Sequence, residues 1–140
     1  MAELFTHRVD VRYLEVDQQG VVFNMWYLAY FDDAMTAFLE HGGLLYEDMT
    51  AAGYDVQLVH AALDWRGAVG WRDDVRVAVS LARRGRTSFT LDFQVLRGGD
   101  AVVDGRVVYV VVATDGSGKM SVPQVLSQAL GVQRPLRPLP

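Results

Sequence analysis

The chain has 140 residues, 51% of them hydrophobic, a length that suits one domain burying about two thirds of the surface its unfolded form exposes. Its net charge of −4 argues against nucleic acid as the main partner, and its lack of cysteine excludes disulfides, thiolate zinc sites and a cysteine nucleophile. No apolar run approaches the roughly 20 residues that span a bilayer, and Met1-Ala2-Glu3-Leu4-Phe5 lacks the regions of a signal peptide, so a cytoplasmic protein without membrane contact is expected.

Val9, Val11 and Tyr13 alternate with polar residues as one strand would. Asp17 and Gly20 follow in a turn, and Asn24 stands where a helix would be capped. From Met25 to about His41, Tyr27, Tyr30, Phe31, Ala34, Met35 and Phe38 recur three or four apart, which is helical spacing. Trp26 and Leu39 widen the apolar stripe, so a sheet should wrap this helix. Gly42-Gly43 ends it, and Leu44 to Ala52 reads as a brief second helix before Gly53.

The period then changes to two. Val75, Val77, Val79 and Leu81 alternate with smaller or polar residues, as do Phe89, Leu91, Phe93 and Val95, with turns at Gly85 and Gly98-Gly99-Asp100. The run Val107 to Val112 has no polar face and predicts a central strand buried on both sides, closed by Asp115-Gly116-Ser117-Gly118. Val122 to Leu130 suits a terminal helix with Pro123 in its first turn. The expected fold class is α+β: a curved antiparallel five-stranded sheet wrapped around a long central helix. It should occupy residues 1–132, with a loose Pro-rich tail at 133–140.

Asp17 stands at the mouth of a helix N-terminus, where unpaired N–H groups and the positive end of the macrodipole can polarise a carbonyl. That arrangement suits attack on an acyl group; the plainer role for Asp17 is a turn cap or an arginine's partner. Gly20 lets the backbone turn where a side chain would clash, and Phe23 and Asn24 supply the first helical amides. Arg83, Arg84 and Arg86 around Gly85 are either a solvated hairpin turn or a phosphate site, since arginine forks bind phosphate bidentately. Asp33 should be solvated, whereas Asp32, one turn beyond Leu28, could face an acyl pocket or a partner subunit. His7 and His41 read as surface residues and His60 as a satisfied core histidine, none with metal-ligand spacing. No Gly-x-Ser-x-Gly elbow and no phosphate-binding glycine loop occur.

Tyr13, Asp17, Gly20, Val21-Val22, Phe23-Asn24, Tyr27 and Leu28 together resemble the motif of the hotdog-fold acyl-CoA thioesterases, in particular the 4-hydroxybenzoyl-CoA thioesterase branch that includes the YbgC-like proteins. The resemblance runs from Val9 to Leu130. Trp65 to Asp74 is similar to the family segment before the third strand, with Asp73 in place but Ala68-Val69 where relatives carry Pro-Ala. Asn24 stands where many relatives carry His or Tyr. The resemblance implies hydrolysis of an acyl-CoA to a carboxylic acid and coenzyme A, by a homo-oligomer (dimer or tetramer) whose sites lie between subunits. It implies Asp17 as nucleophile or general base, backbone amides of Phe23 and Asn24 as the oxyanion hole, and Gly20 as the residue that makes room. Tyr27, Phe31, Asp32, Arg83, Arg84 and Arg86 would bind substrate. No metal and no cofactor are implied beyond the coenzyme A of the substrate. A non-catalytic acyl-CoA-binding protein and an acyl carrier protein thioesterase are the alternatives. Dehydratase chemistry on the same fold needs a histidine paired with a carboxylate on the helix, and none occurs there before His41.

Overall fold

In the computed structural model, which describes residues 3–140, strand β1 (Phe5–Val9) leads through a 3-10 turn at Tyr13–Glu15 into the long helix α1 (Trp26–His41). A short helix α2 (Tyr46–Ala51) precedes strands β2 (Tyr54–Trp65), β3 (Val75–Arg84), β4 (Ser88–Arg97) and β5 (Asp100–Ala113), and α3 (Gln124–Leu130) follows. The strands form one antiparallel sheet in the order β1-β3-β4-β5-β2. No described helix is long and apolar enough to cross a membrane.

Strand alternation explains how the sheet holds the helix. Val77, Val79 and Leu81 of β3, Leu91 and Phe93 of β4, and Val107 and Tyr109 of β5 point to one face and are buried there. Against them α1 buries Tyr27, Tyr30, Phe31, Ala34 and Leu39. Phe31 stacks on Phe93 with ring centroids 4.5 Å apart. It can do so because Gly105, paired with Phe93 across β4 and β5, has no side chain: a Cβ there would overlap the Phe31 ring.

Three expectations need correction. The first strand lies earlier than Val9 to Tyr13, because its partner β3 begins at Val75, opposite Val9; beyond that point Val11 and Tyr13 pair with no strand among the described residues, and Tyr13 is 71% exposed. His60 is exposed on β2, a strand at the edge of the sheet, and is not a core residue. Residues 133–140 are tied to the sheet. Ser80, Asp92 and Arg106 are paired in register across β3, β4 and β5. On that row the Ser80 hydroxyl donates to the Arg134 carbonyl (2.5 Å), Asp92 accepts the Leu136 amide (2.8 Å), and Arg106 donates to the Arg137 and Pro138 carbonyls (2.9 and 3.0 Å). Asp92 and Arg106 also form a bidentate ion pair at 2.7 and 2.9 Å beneath the tail.

Candidate active site

Asp17 lies on a small hairpin between β1 and α1. Val16 and Val22 bridge its two arms, the Asp17 amide donates to the Val21 carbonyl (2.9 Å), and the Gly20 amide donates back to the Asp17 carbonyl (3.0 Å). Gly20 has φ +80°, the left-handed region that favours glycine. The Asp17 side chain accepts the Gln19 amide at 2.8 Å, which fixes one carboxylate oxygen and leaves the other open. A Val22 amide bond to the Val69 carbonyl (2.8 Å) docks the hairpin on the loop before β3.

Half-buried Asp17 lines a groove of about 770 Å³ with Tyr13, Gly20, Val21, Ala68, Gly70, Trp71, Asp73 and Arg97. Behind it, Tyr27 on the first turn of α1 is 1% exposed. Burial pushes the Tyr27 phenol above its ordinary pKa, the Val69 amide and Arg97 pull it down, and the Asp17 carboxylate pushes it up again. The Val69 amide donates to the Tyr27 hydroxyl at 3.4 Å while its carbonyl accepts the Val22 amide, so the hairpin and the first turn of α1 meet on the same loop residue.

The start of α1 is not capped as the sequence suggested. Met25 is the N-cap, and no side chain among the described residues caps the helix. The Phe23 amide donates to the Glu15 carbonyl (2.9 Å), so it is not free to hold an oxyanion. The hairpin returns to Glu15 at this point and uses that amide as its closing bond. The amides of Asn24 and Met25 donate to no group among the described residues. They are the open donors, although neither residue lines the Asp17 groove within one chain.

The other expected substrate residues are dispersed. Phe31 is fully buried core, not pocket wall. Asp32 accepts the Tyr109 hydroxyl at 3.3 Å and lines a separate cavity of about 270 Å³ with Met35, Thr36, Tyr46, Asp55 and Leu58 among others. Burial of its carboxyl, helped by Asp33, outweighs the Tyr109 hydrogen bond and raises its pKa. Arg84 is spent on α3: its guanidinium donates to Ser127 Oγ (2.8 Å), the Ser127 carbonyl (2.7 Å) and the Gly131 carbonyl (2.8 Å). Arg83 and Arg86 are exposed at the β3–β4 end. Asp17 sits at the opposite end, beside the Val75–Arg97 pair, and a ten-residue strand spans roughly 30 Å. Arg97, which does reach the Asp17 groove, carries no signal in the sequence, because a charge before Gly98-Gly99 reads as an ordinary turn residue. Among the described residues no group of three His, Asp or Glu could hold a metal ion.

The model of a family described as the thioesterase-like superfamily matches residues 11–130. A putative esterase of Aquifex aeolicus is 28% identical over 127 residues, covering 90% of this chain and 97% of its own. Among solved structures, a hypothetical protein from Thermus thermophilus is 28% identical with a TM-score of 0.85, covering 94% of this chain and all of its own. A mutant 4-hydroxybenzoyl-CoA thioesterase complexed with 4-hydroxybenzoyl-CoA is 19% identical with a TM-score of 0.83, over 93% of this chain and all of its own, and shares the hotdog fold.

Proposed function

Because the chain belongs to the thioesterase-like superfamily, we propose that it hydrolyses an acyl-CoA thioester to a carboxylic acid and coenzyme A. The observation that carries this reading is the Asp17 hairpin joined through Val69 to the first turn of α1, followed by two amides without acceptors among the described residues. The esterase and 4-hydroxybenzoyl-CoA thioesterase likenesses support it.

In this reading the Asp17 carboxylate attacks the thioester carbon or takes a proton from an attacking water. The carbonyl oxygen gains charge as the tetrahedral intermediate forms, and the Asn24 and Met25 amides donate to it. One such donor is typically worth about two to three orders of magnitude in rate. The intermediate collapses by breaking the C–S bond, and the coenzyme A thiolate leaves and takes up a proton. Where Asp17 is the nucleophile, water then hydrolyses the acyl-aspartate anhydride.

The nucleotide end of coenzyme A would meet Arg83 and Arg86, whose guanidinium forks suit phosphates. Within one chain they are too far from Asp17, so the working unit is a dimer. Among the described residues the outer edge of β2 has no partner strand, and its Leu58, Val59 and Trp65 are exposed. Tyr13, Leu14, Phe23 and Met25 leave a second apolar surface around the hairpin. Antiparallel pairing of two β2 edges would extend the sheet and cover apolar surface. It also brings the arginine end of the partner subunit to the same end of the sheet as this protomer's Asp17.

A thiol-release screen over short, long and aromatic acyl-CoAs tests the reading, run with wild type and Asp17→Asn. The expected result is turnover that falls about 10²- to 10⁴-fold in the variant. Equal rates on every substrate would remove Asp17 from the mechanism, and affinity without Asp17-dependent hydrolysis would indicate a binding protein. Light scattering should give a dimer or tetramer; a monomer at working concentration contradicts the shared site.

A further inference from the structure

Two residues before Asp17 stands a carboxylate that the hydrolysis has not used. Glu15 is 4% exposed, although Arg12, Tyr13 and Leu14 beside it are open to solvent. A buried carboxylate is costly unless its oxygens are engaged, and these are. Glu15 Oε1 accepts the Tyr30 hydroxyl at 2.7 Å and the Arg12 amide at 2.9 Å, and Oε2 accepts Arg12 Nε at 2.9 Å. Burial alone would raise its pKa, but the Arg12 amide, the Tyr30 hydroxyl and the Arg12 guanidinium outweigh burial and hold it below the usual range. Burial and the Glu15 charge in turn push the Tyr30 phenol upward, so Tyr30 remains the donor.

The backbone of Glu15 is engaged too. Its carbonyl accepts the Phe23 amide, and the hairpin that carries Asp17 starts at the next residue. Tyr30, 3% exposed, lies on α1 just past Tyr27. One residue therefore joins both ends of the hairpin base and hitches them to the helix. The open Asn24 and Met25 amides follow directly from the Phe23 bond.

We infer that Glu15 is a positioning residue for Asp17, and that its bond to Tyr30 sets where the Asp17 carboxylate stands relative to the Asn24 and Met25 amides. The use of that geometry rests on the hydrolytic reading; the hitch itself does not. A misplacement of about 1 Å in such a site can cost on the order of 100-fold in rate.

Two variants test it. Tyr30→Phe removes only the hydroxyl, and Glu15→Gln keeps the shape but presents an amide nitrogen where Arg12 Nε already donates. On whichever acyl-CoA the wild type turns over, kcat should fall about 10- to 100-fold in Tyr30→Phe and further in Glu15→Gln, with KM within about twofold. The double variant should fall no further than Glu15→Gln. The acid limb of the pH–rate profile should stay in place, because neither substitution touches the group that does the chemistry. Hydrogen exchange gives a readout independent of turnover: the Asp17 and Phe23 amides should exchange at least about tenfold faster in Tyr30→Phe, while amides in the middle of α1 hold. Folded variants with intact kcat, or unchanged exchange at Asp17 and Phe23, would overturn the inference. Loss of the acid limb would also overturn it, by making Glu15 itself the proton-transfer group. If wild type hydrolyses no thioester but the exchange still quickens, the hydrolytic reading fails and the hitch stands.

Discussion

Replacing Asp92 by Ala, in the full chain and in one shortened to residues 1–132, measures what the C-terminal strap does for the ion pair beneath it. The Asp92 side chain is 1% exposed and that of Arg106 16%. In the full chain the substitution leaves Arg106 with only two tail carbonyls and strips the Leu136 amide of its acceptor. Breaking a buried pair this way costs about 3–5 kcal/mol. In the shortened chain water reaches the pair, and an exposed pair is worth about 0–1 kcal/mol. The coupling between strap and pair should therefore be on the order of 2–5 kcal/mol. Urea unfolding of the four proteins, with midpoint and slope fitted separately, gives that number. For a chain of this size the full-length variant should also lose roughly 10–20 °C in Tm. An Asp92→Ala cost equal in the two backgrounds would refute the claim that the strap buries the pair.

Gly105→Ala should cost about 1–3 kcal/mol in thermal or denaturant unfolding, since the added methyl overlaps the Phe31 ring; no cost would mean that the ring does not occupy that notch. Arg84→Ala should lower Tm through its lost bonds to the end of α3, about 1 kcal/mol for an exposed arginine, and leave KM for acyl-CoA within about twofold. Arg86→Ala should do the reverse, and paired Tm and KM measurements separate the two. Because folding lowers the Glu15 pKa from its ordinary value of about 4.5, its stabilisation is complete above that value and is lost as pH falls through the lower folded value. Glu15→Gln should therefore be less stable than wild type at pH 7, and the difference should shrink through acid unfolding below about pH 4. A difference that stays constant down to pH 2 would contradict the pairing.

What the sequence displayed is what periodicity can carry. The spacing of Tyr27, Tyr30, Phe31 and Ala34 marked the buried face of α1, and the alternations at Val75–Leu81 and Phe89–Val95 marked β3 and β4. The sequence also placed Asp17 in a turn before the helix. It did not show which residue each long-range bond would consume. Phe23 looked like an oxyanion donor until the hairpin closed on Glu15, and Arg84 looked like a phosphate ligand until α3 packed beside it. The prolines of the tail suggested a free end, because nothing local announces that Ser80, Asp92 and Arg106 will align on three strands to receive it. Tyr27 and Phe31 shared one helical stripe, and both are core and not pocket wall: Tyr27 is 1% exposed, and Phe31 fills the notch left by the missing side chain at Gly105.

The most direct check is a crystal structure of Asp17→Asn with an uncleaved acyl-CoA bound. The account requires the thioester carbon beside residue 17, with its oxygen within about 2.7–3.1 Å of the Asn24 or Met25 amide nitrogen. A thioester bound elsewhere, or an oxygen facing solvent while those two amides stay unpartnered, would contradict it.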